Sequence, residues 1–207
     1  MADQAGQPVP RHLRVHDPAS LKVIGQAFKV LNRWMVLLWR LGLGRWAEVY
    51  PPIGGRMLVV EHRGRRSGIE YLTPLNFTRA DGAVDCLAAF GPGADWYRNV
   101  MAMDDLIVWL PDGRWRCVAS DVSDAEDRID RIRSVLVDAG LAAPGFGMFP
   151  HTMSDEELAD ASGDYRIVRL NLVERIDSGP ADLLWVWPLA ALGFAGAVLA
   201  RRAIRRW

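Results

Sequence analysis

The sequence predicts an α+β fold: a small barrel of about six mostly antiparallel strands with flanking helices, preceded by an amphipathic helix and followed by a hydrophobic one. Two observations predict it. Six short runs with the composition of strands are separated by turns rich in glycine and aspartate, and the connections between the early runs are too short for the crossovers that parallel strands need. The chain, 207 residues of which 50% are hydrophobic, suffices for one domain with its own core. It leaves roughly fifty residues for appendages.

Residues 1–18 are polar and read as a disordered lead-in. Within residues 19–48, apolar residues recur at helical spacing from Ile24 through Phe28, Leu31, Met35 and Leu38 to Leu41, while Lys22, Lys29, Arg33 and Arg40 share one stripe. Such a helix lies on an anionic membrane surface, with Trp34, Trp39 and Trp46 at headgroup level, or packs on the barrel. The barrel domain is expected over residues 49–176. Its first three strands are Met57–His62, Ile69–Phe77 and Ala83–Phe90, joined by the loop Gly64–Gly68 and the turn Ala80–Gly82. A short helix, Ala94–Ala102, leads to a hairpin of Leu106–Leu110 and Arg114–Ser120. Ser123 with Glu126, and Ser154 with Glu157, have the spacing of capping boxes that open two further helices, the first running to about Ala139. Tyr165–Val173 closes the set as the sixth strand, and Ser178-Gly179-Pro180 reads as a linker.

Composition excludes several classes. Twenty-five basic and 25 acidic residues leave no net field to attract nucleic acid. Cys86 and Cys117, the only cysteines, fall in strand-like runs and read as small core residues. No nucleophile elbow, phosphate-binding P-loop, HExxH or zinc spacing is present, and the four histidines are scattered, so neither a metal nor an acid or base catalyst can be named. His62, at a strand end, reads as structural. Reactivity is then expected from a borrowed cofactor.

The first twenty residues lack the apolar stretch of a signal peptide, which predicts a domain that starts in the cytoplasm. Leu183–Ala200 is an uncharged apolar run of 18 residues with Arg201, Arg202, Arg205 and Arg206 behind it. In residues 181–207 this predicts a membrane segment, spanning or bent at Pro188, with the alternative of a partner for the amphipathic helix.

The loop Arg63-Gly64-Arg65-Arg66-Ser67-Gly68 concentrates outward backbone N–H groups, guanidinium groups and a hydroxyl. That set can hold a phosphate or carboxylates, and it can equally be a solvated hairpin turn. The order of Leu58-Val59-Val60-Glu61-His62, the Gly64–Gly68 loop, Thr73-Pro74-Leu75-Asn76-Phe77, Asp81-Gly82 and Trp96-Tyr97-Arg98-Asn99 resembles the deazaflavin-dependent nitroreductase family over about Phe28 to Val173. The resemblance implies a split β-barrel that binds coenzyme F-420, an 8-hydroxy-5-deazaflavin with an anionic tail, and reduces a lipophilic acceptor such as a quinone or nitro compound.

Carried over by position, Arg65, Arg66 and Ser67 would hold the tail. Thr73, Pro74, Leu75 and Asn76 would run beside the ring system, Leu87, Ala88 and Ala89 would face it, and on the short helix Asn99 would bind while Trp96 packs. Tyr71, Asn76 and Tyr97 are the acceptor-side candidates. The sequence departs from the family at Phe90, where relatives carry a lysine, at Tyr71, where a basic residue is common, and at Phe149 and Thr152, where tyrosines line the acceptor pocket. The alternatives are a split barrel that binds FMN or haem, or a membrane-attached scaffold that has lost its cofactor. The expected setting is the cell membrane with the barrel in the cytoplasm. Membrane lipid and a second copy of the chain are the expected partners besides the acceptor.

Overall fold

A computed structural model describes residues 30, 32–44, 55–177 and 181–204. Six strands, β1 (Met57–Arg63), β2 (Glu70–Ala80), β3 (Ala83–Ala88), β4 (Leu106–Leu110), β5 (Gly113–Asp121) and β6 (Arg166–Asp177), close into an antiparallel barrel in the order β1-β2-β3-β6-β5-β4. The helices are α1 (residues 32–40), α2 (Asp95–Val100), α3 (Arg128–Asp138), α4 (Ala142–Gly145), α5 (Asp155–Ala161) and α6 (Val186–Ile204). The predicted lead-in, the first part of the amphipathic helix and the Ser178–Pro180 linker lie outside the described residues.

Alternation along the strands builds two apolar centres. Leu58, Val60, Phe77, Val84, Cys86, Val108, Cys117 and Leu170 fill the barrel. On the far face of β3 and β6, Leu87, Ala89 and Ile167 meet Ile132 and Leu136 of α3, Leu158 of α5 and Met148. Both cysteines are buried free thiols in the barrel centre.

Element edges differ from expectation in instructive places. β3 stops at Ala88 because Phe90 leads into a 3-10 turn at Gly91–Gly93, where Gly91 has φ +69° and a Cβ would sit 2.6 Å from the Asp164 carbonyl oxygen. Ser123 does not cap a helix. Its N–H donates to the Asp121 carboxylate at 2.8 Å, its hydroxyl also bonds Asp121 and accepts the Ile167 N–H at 2.8 Å, and α3 begins five residues later without a side-chain cap. Ser154 and Glu157 do form a capping box on α5, with bonds of 3.2 and 2.8 Å. β6 runs on to Asp177, and shifts in its register against β5 accommodate the extra length.

The terminal helices correct two further expectations. α1 ends at Arg40, and its Trp39 is not at a headgroup position but 3% exposed against Val59 and Trp109 on the outside of the barrel. The apolar run after Asp182 is not one continuous helix. Residues 182–185 turn across the end of α1, where the Leu183 N–H donates to the Arg40 carbonyl at 2.9 Å and the Trp187 indole N–H donates to the Leu41 carbonyl at 3.0 Å. α6 therefore starts at Val186 and takes Arg201 and Arg202 into its last turns. Among the described residues, no helix is long and apolar enough to cross a membrane, in contrast to the spanning segment expected from the sequence.

Candidate functional site

The β1–β2 connection is a tight turn held by its own backbone. Gly64 N–H donates to Ile69 O, and Gly68 N–H to Gly64 O, both at 2.8 Å. A Cβ on Gly64 would lie 2.5 Å from Ser67 Oγ and 3.0 Å from the Tyr71 ring, so a side chain there would displace both, while Gly68 adopts φ +67° with open space around it. Ser67 Oγ accepts from Ile69 N–H at 3.3 Å.

A chain of polar contacts ties this turn to α2. Arg65 donates to Asn99 Oδ1 through its backbone N–H (3.2 Å) and its Nη1 (3.0 Å), and Nη1 also pairs with Asp95 at 3.3 Å. Because Asn99 Oδ1 receives those bonds, its amide NH2 is the end that faces His62 Nδ1, 3.3 Å away. Nδ1 then accepts, and the ring proton sits on Nε2, which donates to Thr73 Oγ1 at 2.8 Å. His62 is 5% exposed and stacks on Tyr71 at 5.6 Å between centroids. Burial lowers its pKa from 6.5 to about 4, so the ring is neutral near pH 7. One network thus joins Arg65, Thr73 and Asn99, with His62 at its centre. Arg66 is different: exposed, it makes no hydrogen bond or ion pair among the described residues.

Beside the turn the barrel has a seam. The β2–β3 ladder covers only Phe77–Ala80 with Ala83–Cys86, so among the described residues β2 from Glu70 to Asn76 pairs with β1 alone, and Leu87 and Ala88 pair with β6 alone. Phe77 N–H points to β1, where it meets Arg56 O at 3.2 Å. N–H groups alternate along a strand, so Pro74 presents its missing donor to the seam. Thr73 to Asn76 therefore line one edge of the seam, and the segment that begins at Leu87 lines the other. Leu75 turns its side chain into the barrel, whereas Leu87 and Ala89 turn theirs to the second apolar centre, which leaves Ala88 and the backbone as that edge's contribution.

The acceptor-side candidates do not converge. Tyr97 donates its hydroxyl proton to Asp121 Oδ2 at 2.5 Å, at the end of β5. Burial and this bond push the phenol up to about 12, while Asp121 is held below the usual carboxylate range, the pull of burial being outweighed by bonds from Ser123 and Tyr97. Asn76 Nδ2 donates to Arg56 O at 3.2 Å. Only Tyr71, of the three, has a hydroxyl that makes no hydrogen bond among the described residues. Phe149 is 52% exposed, and the Thr152 hydroxyl donates to the Phe149 carbonyl at 3.4 Å.

Sequence reasoning missed the hub role of His62 and the bracing carboxylates Asp95 and Asp121. His62 and Thr73 face each other across the β1–β2 hairpin, 11 residues apart, and the other partners lie 24 or more residues apart, where no local spacing announces them. It also missed a cavity of about 450 Å³ away from the turn, lined by Arg40, Glu61, Leu72, Trp109, Arg114 and Asp182, where Glu61 already accepts from Trp109 and, at 2.8 Å, from Arg114. This cavity belongs to the contact between α1 and the barrel wall.

No protein-family profile matches the chain, and no curated protein matches it. Among solved structures, similarity is found to an F420-H2 dependent reductase, with 18% identity, a TM-score of 0.39 and coverage of 56% of this chain and 93% of that one. A haem storage protein from Vibrio cholerae shares 16% identity, with a TM-score of 0.40 over 60% of this chain and 86% of its own. A conserved hypothetical protein from Mycobacterium tuberculosis shares 16% identity, with a TM-score of 0.44 over 62% and 79%. With identities and TM-scores this low, the likenesses carry no argument about activity.

Proposed function

We propose that the chain is a split β-barrel oxidoreductase dependent on the deazaflavin coenzyme F-420, attached to the cell membrane with its barrel in the cytoplasm, and that it reduces a lipophilic acceptor such as a quinone or a nitro compound. One observation carries the reading. The turn that ends at the seam braces Arg65 through Asp95 and Asn99 while leaving the Arg66 guanidinium exposed and uncommitted among the described residues.

The residues present fit the group. Arg66 and the braced face of Arg65 suit an anionic tail, and the edge of β2 from Thr73 to Asn76, unpaired with β3, is where a flat ring would lie. When bound and reduced, the coenzyme supplies a hydride. The chain's own work is to orient: the neutral His62 fixes Thr73 and Asn99, and Tyr71 offers a hydroxyl to an oxygen of the acceptor. Tyr97, its proton committed to Asp121, is a strut for α2 in this arrangement.

The test is titration of the protein with oxidised F-420, followed by tryptophan fluorescence, beside Arg66→Ala. Saturable binding that weakens at least about tenfold in the variant supports the reading, since one charge-assisted bond contributes about 1.5–3 kcal/mol. Binding of FMN or haem in its place, seen in the absorption spectrum, transfers the site to those cofactors. Indifference to all three leaves a scaffold.

A further inference from the structure

Arg166 is the first residue of β6 and stands opposite Ala88 in the β3–β6 ladder, the rung at which β3 reaches the seam. Residues opposite each other in a ladder turn their side chains to one face. For this rung it is the face on which Val84, Cys86, Val168 and Leu170 point into the barrel, so Arg166 lies at the barrel's end, beside the seam. The neighbouring strand brings a carboxylate to the same end, because Asp121, paired with Val168, closes β5. Both Asp121 oxygens already accept, Oδ1 from Ser123 and Oδ2 from the Tyr97 hydroxyl. Partly buried, the Arg166 side chain makes no hydrogen bond or ion pair among the described residues.

A second guanidinium stands close. Arg128, the first residue of α3, donates from Nη2 to Ser162 O at 2.7 Å and to Tyr165 O at 3.4 Å, the latter being the carbonyl just before Arg166. Its pKa is lowered, first by burial and then by the charge of Arg166, with Asp124 acting the other way. That charge is felt across the cluster: it opposes the rise of the Tyr97 phenol, which burial leads, and it adds to the bonds that outweigh burial at Asp121. Neither Arg128 nor Arg166 has an ion pair among the described residues, whereas Arg65, Arg131 and Arg169 each end on a carboxylate.

We propose that Arg166 is an anion-binding residue of the seam and takes a carboxylate or phosphate oxygen of the molecule that lies against Ala88. A partly buried cation without a counter-charge costs free energy, and next to a second cation it costs more. An anion at this place supplies the acceptor that Arg166 lacks and offsets the repulsion from Arg128, and the planar fork of a guanidinium suits two oxygens of one group. Arg66 stands at the turn beside one edge of the seam and Arg166 stands behind the other, so a ligand laid across it meets a cation on each side. The proposal rests on the reading of the seam as a ligand site and names a charge its ligand carries, whether on the coenzyme or on the acceptor.

The experiment uses the full chain in two arms. In the first, thermal melts are recorded in an Arg66→Ala background, which silences the turn, with and without Arg166→Gln. Inorganic phosphate is compared with chloride at equal ionic strength. The expected result is that phosphate raises Tm by at least about 2 °C more in the Arg66→Ala chain than in the Arg66→Ala/Arg166→Gln chain. In chloride, Arg166→Gln is expected to leave Tm unchanged or higher, since the side chain has no bond to lose. Equal responses to phosphate overturn the proposal, and so does a lower Tm in chloride, which would make Arg166 a structural residue. In the second arm, oxidised F-420 is titrated into wild type and Arg166→Gln. A loss of affinity of about tenfold or more puts the anionic group on the coenzyme. Unchanged affinity, with the phosphate response lost, puts it on the acceptor. Failure of F-420 to bind either chain, with the phosphate response intact, sinks the coenzyme reading and leaves the anion site at Arg166 standing.

Discussion

At the β1–β2 turn, Arg65 commits its guanidinium to Asp95 and Asn99 while Arg66 stays uncommitted, so replacing one is not equivalent to replacing the other. Arg66→Ala is expected to weaken the binding of an anionic ligand with no change in the urea midpoint. Asn99→Ala removes the partner of both Arg65 and His62 in a buried setting, and is expected to cost about 1–3 kcal/mol in urea denaturation as well as affinity. His62 supplies a pH signature. Its folded pKa, about 4, lies below the unfolded 6.5, so the unfolded chain binds more protons between those values and stability falls as pH drops through that window. The wild type should lose about 2 kcal/mol more than His62→Gln between about pH 7 and pH 5. Urea midpoints at the two pH values measure the difference, and equal losses would remove the buried neutral histidine from the account.

At the level of elements, Ser123 and Ser154 have the same spacing to a glutamate and different fates. Ser154→Ala removes a solvent-facing cap and is expected to cost about 1 kcal/mol. Ser123→Ala leaves the buried Ile167 N–H without its acceptor and loosens Asp121, and is expected to cost more, about 1–3 kcal/mol. Paired thermal melts rank them, and the reverse order would mean that the Ile167 N–H finds another acceptor once the Ser123 hydroxyl is gone. Strand identity was legible because β1, β2, β4 and β5 carry their own alternation and turn residues. The early end of β3 was not, since it depends on Gly91 approaching the distant Asp164 backbone. Nor was the seam, which lies in the register of a ladder that stops at Phe77–Cys86. In the candidate site, the glycine turn was readable from composition, whereas the bracing of Arg65 from α2 and the diversion of Tyr97 to β5 are contacts made only by folding.

At the scale of the whole molecule, a buried carboxylate ties the barrel to α3. Asp85 on β3 is fully buried and accepts from Arg131 of α3 at 2.8 Å and from Arg169 of β6 at 2.8 and 3.2 Å. Asp85→Ala removes the buried acceptor of two guanidinium groups whose side chains are only 15% and 17% exposed, while Arg131 keeps Asp127 at 2.6 Å and Arg169 keeps Asp81 at 3.7 Å; the expected cost is about 1–3 kcal/mol with a drop in Tm. If the melting temperature is unchanged, the pair of cations finds water and the network is ornamental. Arg40 of α1 and Asp182, just before α6, form an exposed pair whose contribution to stability is about 0–1 kcal/mol.

The two thiols in the barrel centre turn the protein into its own stopwatch. Cys86 and Cys117 are the only cysteines, both are 0% exposed, and burial pushes both thiols up, Cys117 to about 12. An alkylating reagent therefore waits for the strands to part, and the labelling rate counts those openings. A ligand that grips the β1–β2 turn and the seam slows the count without touching either sulfur, so the same clock reports occupancy for any cofactor offered.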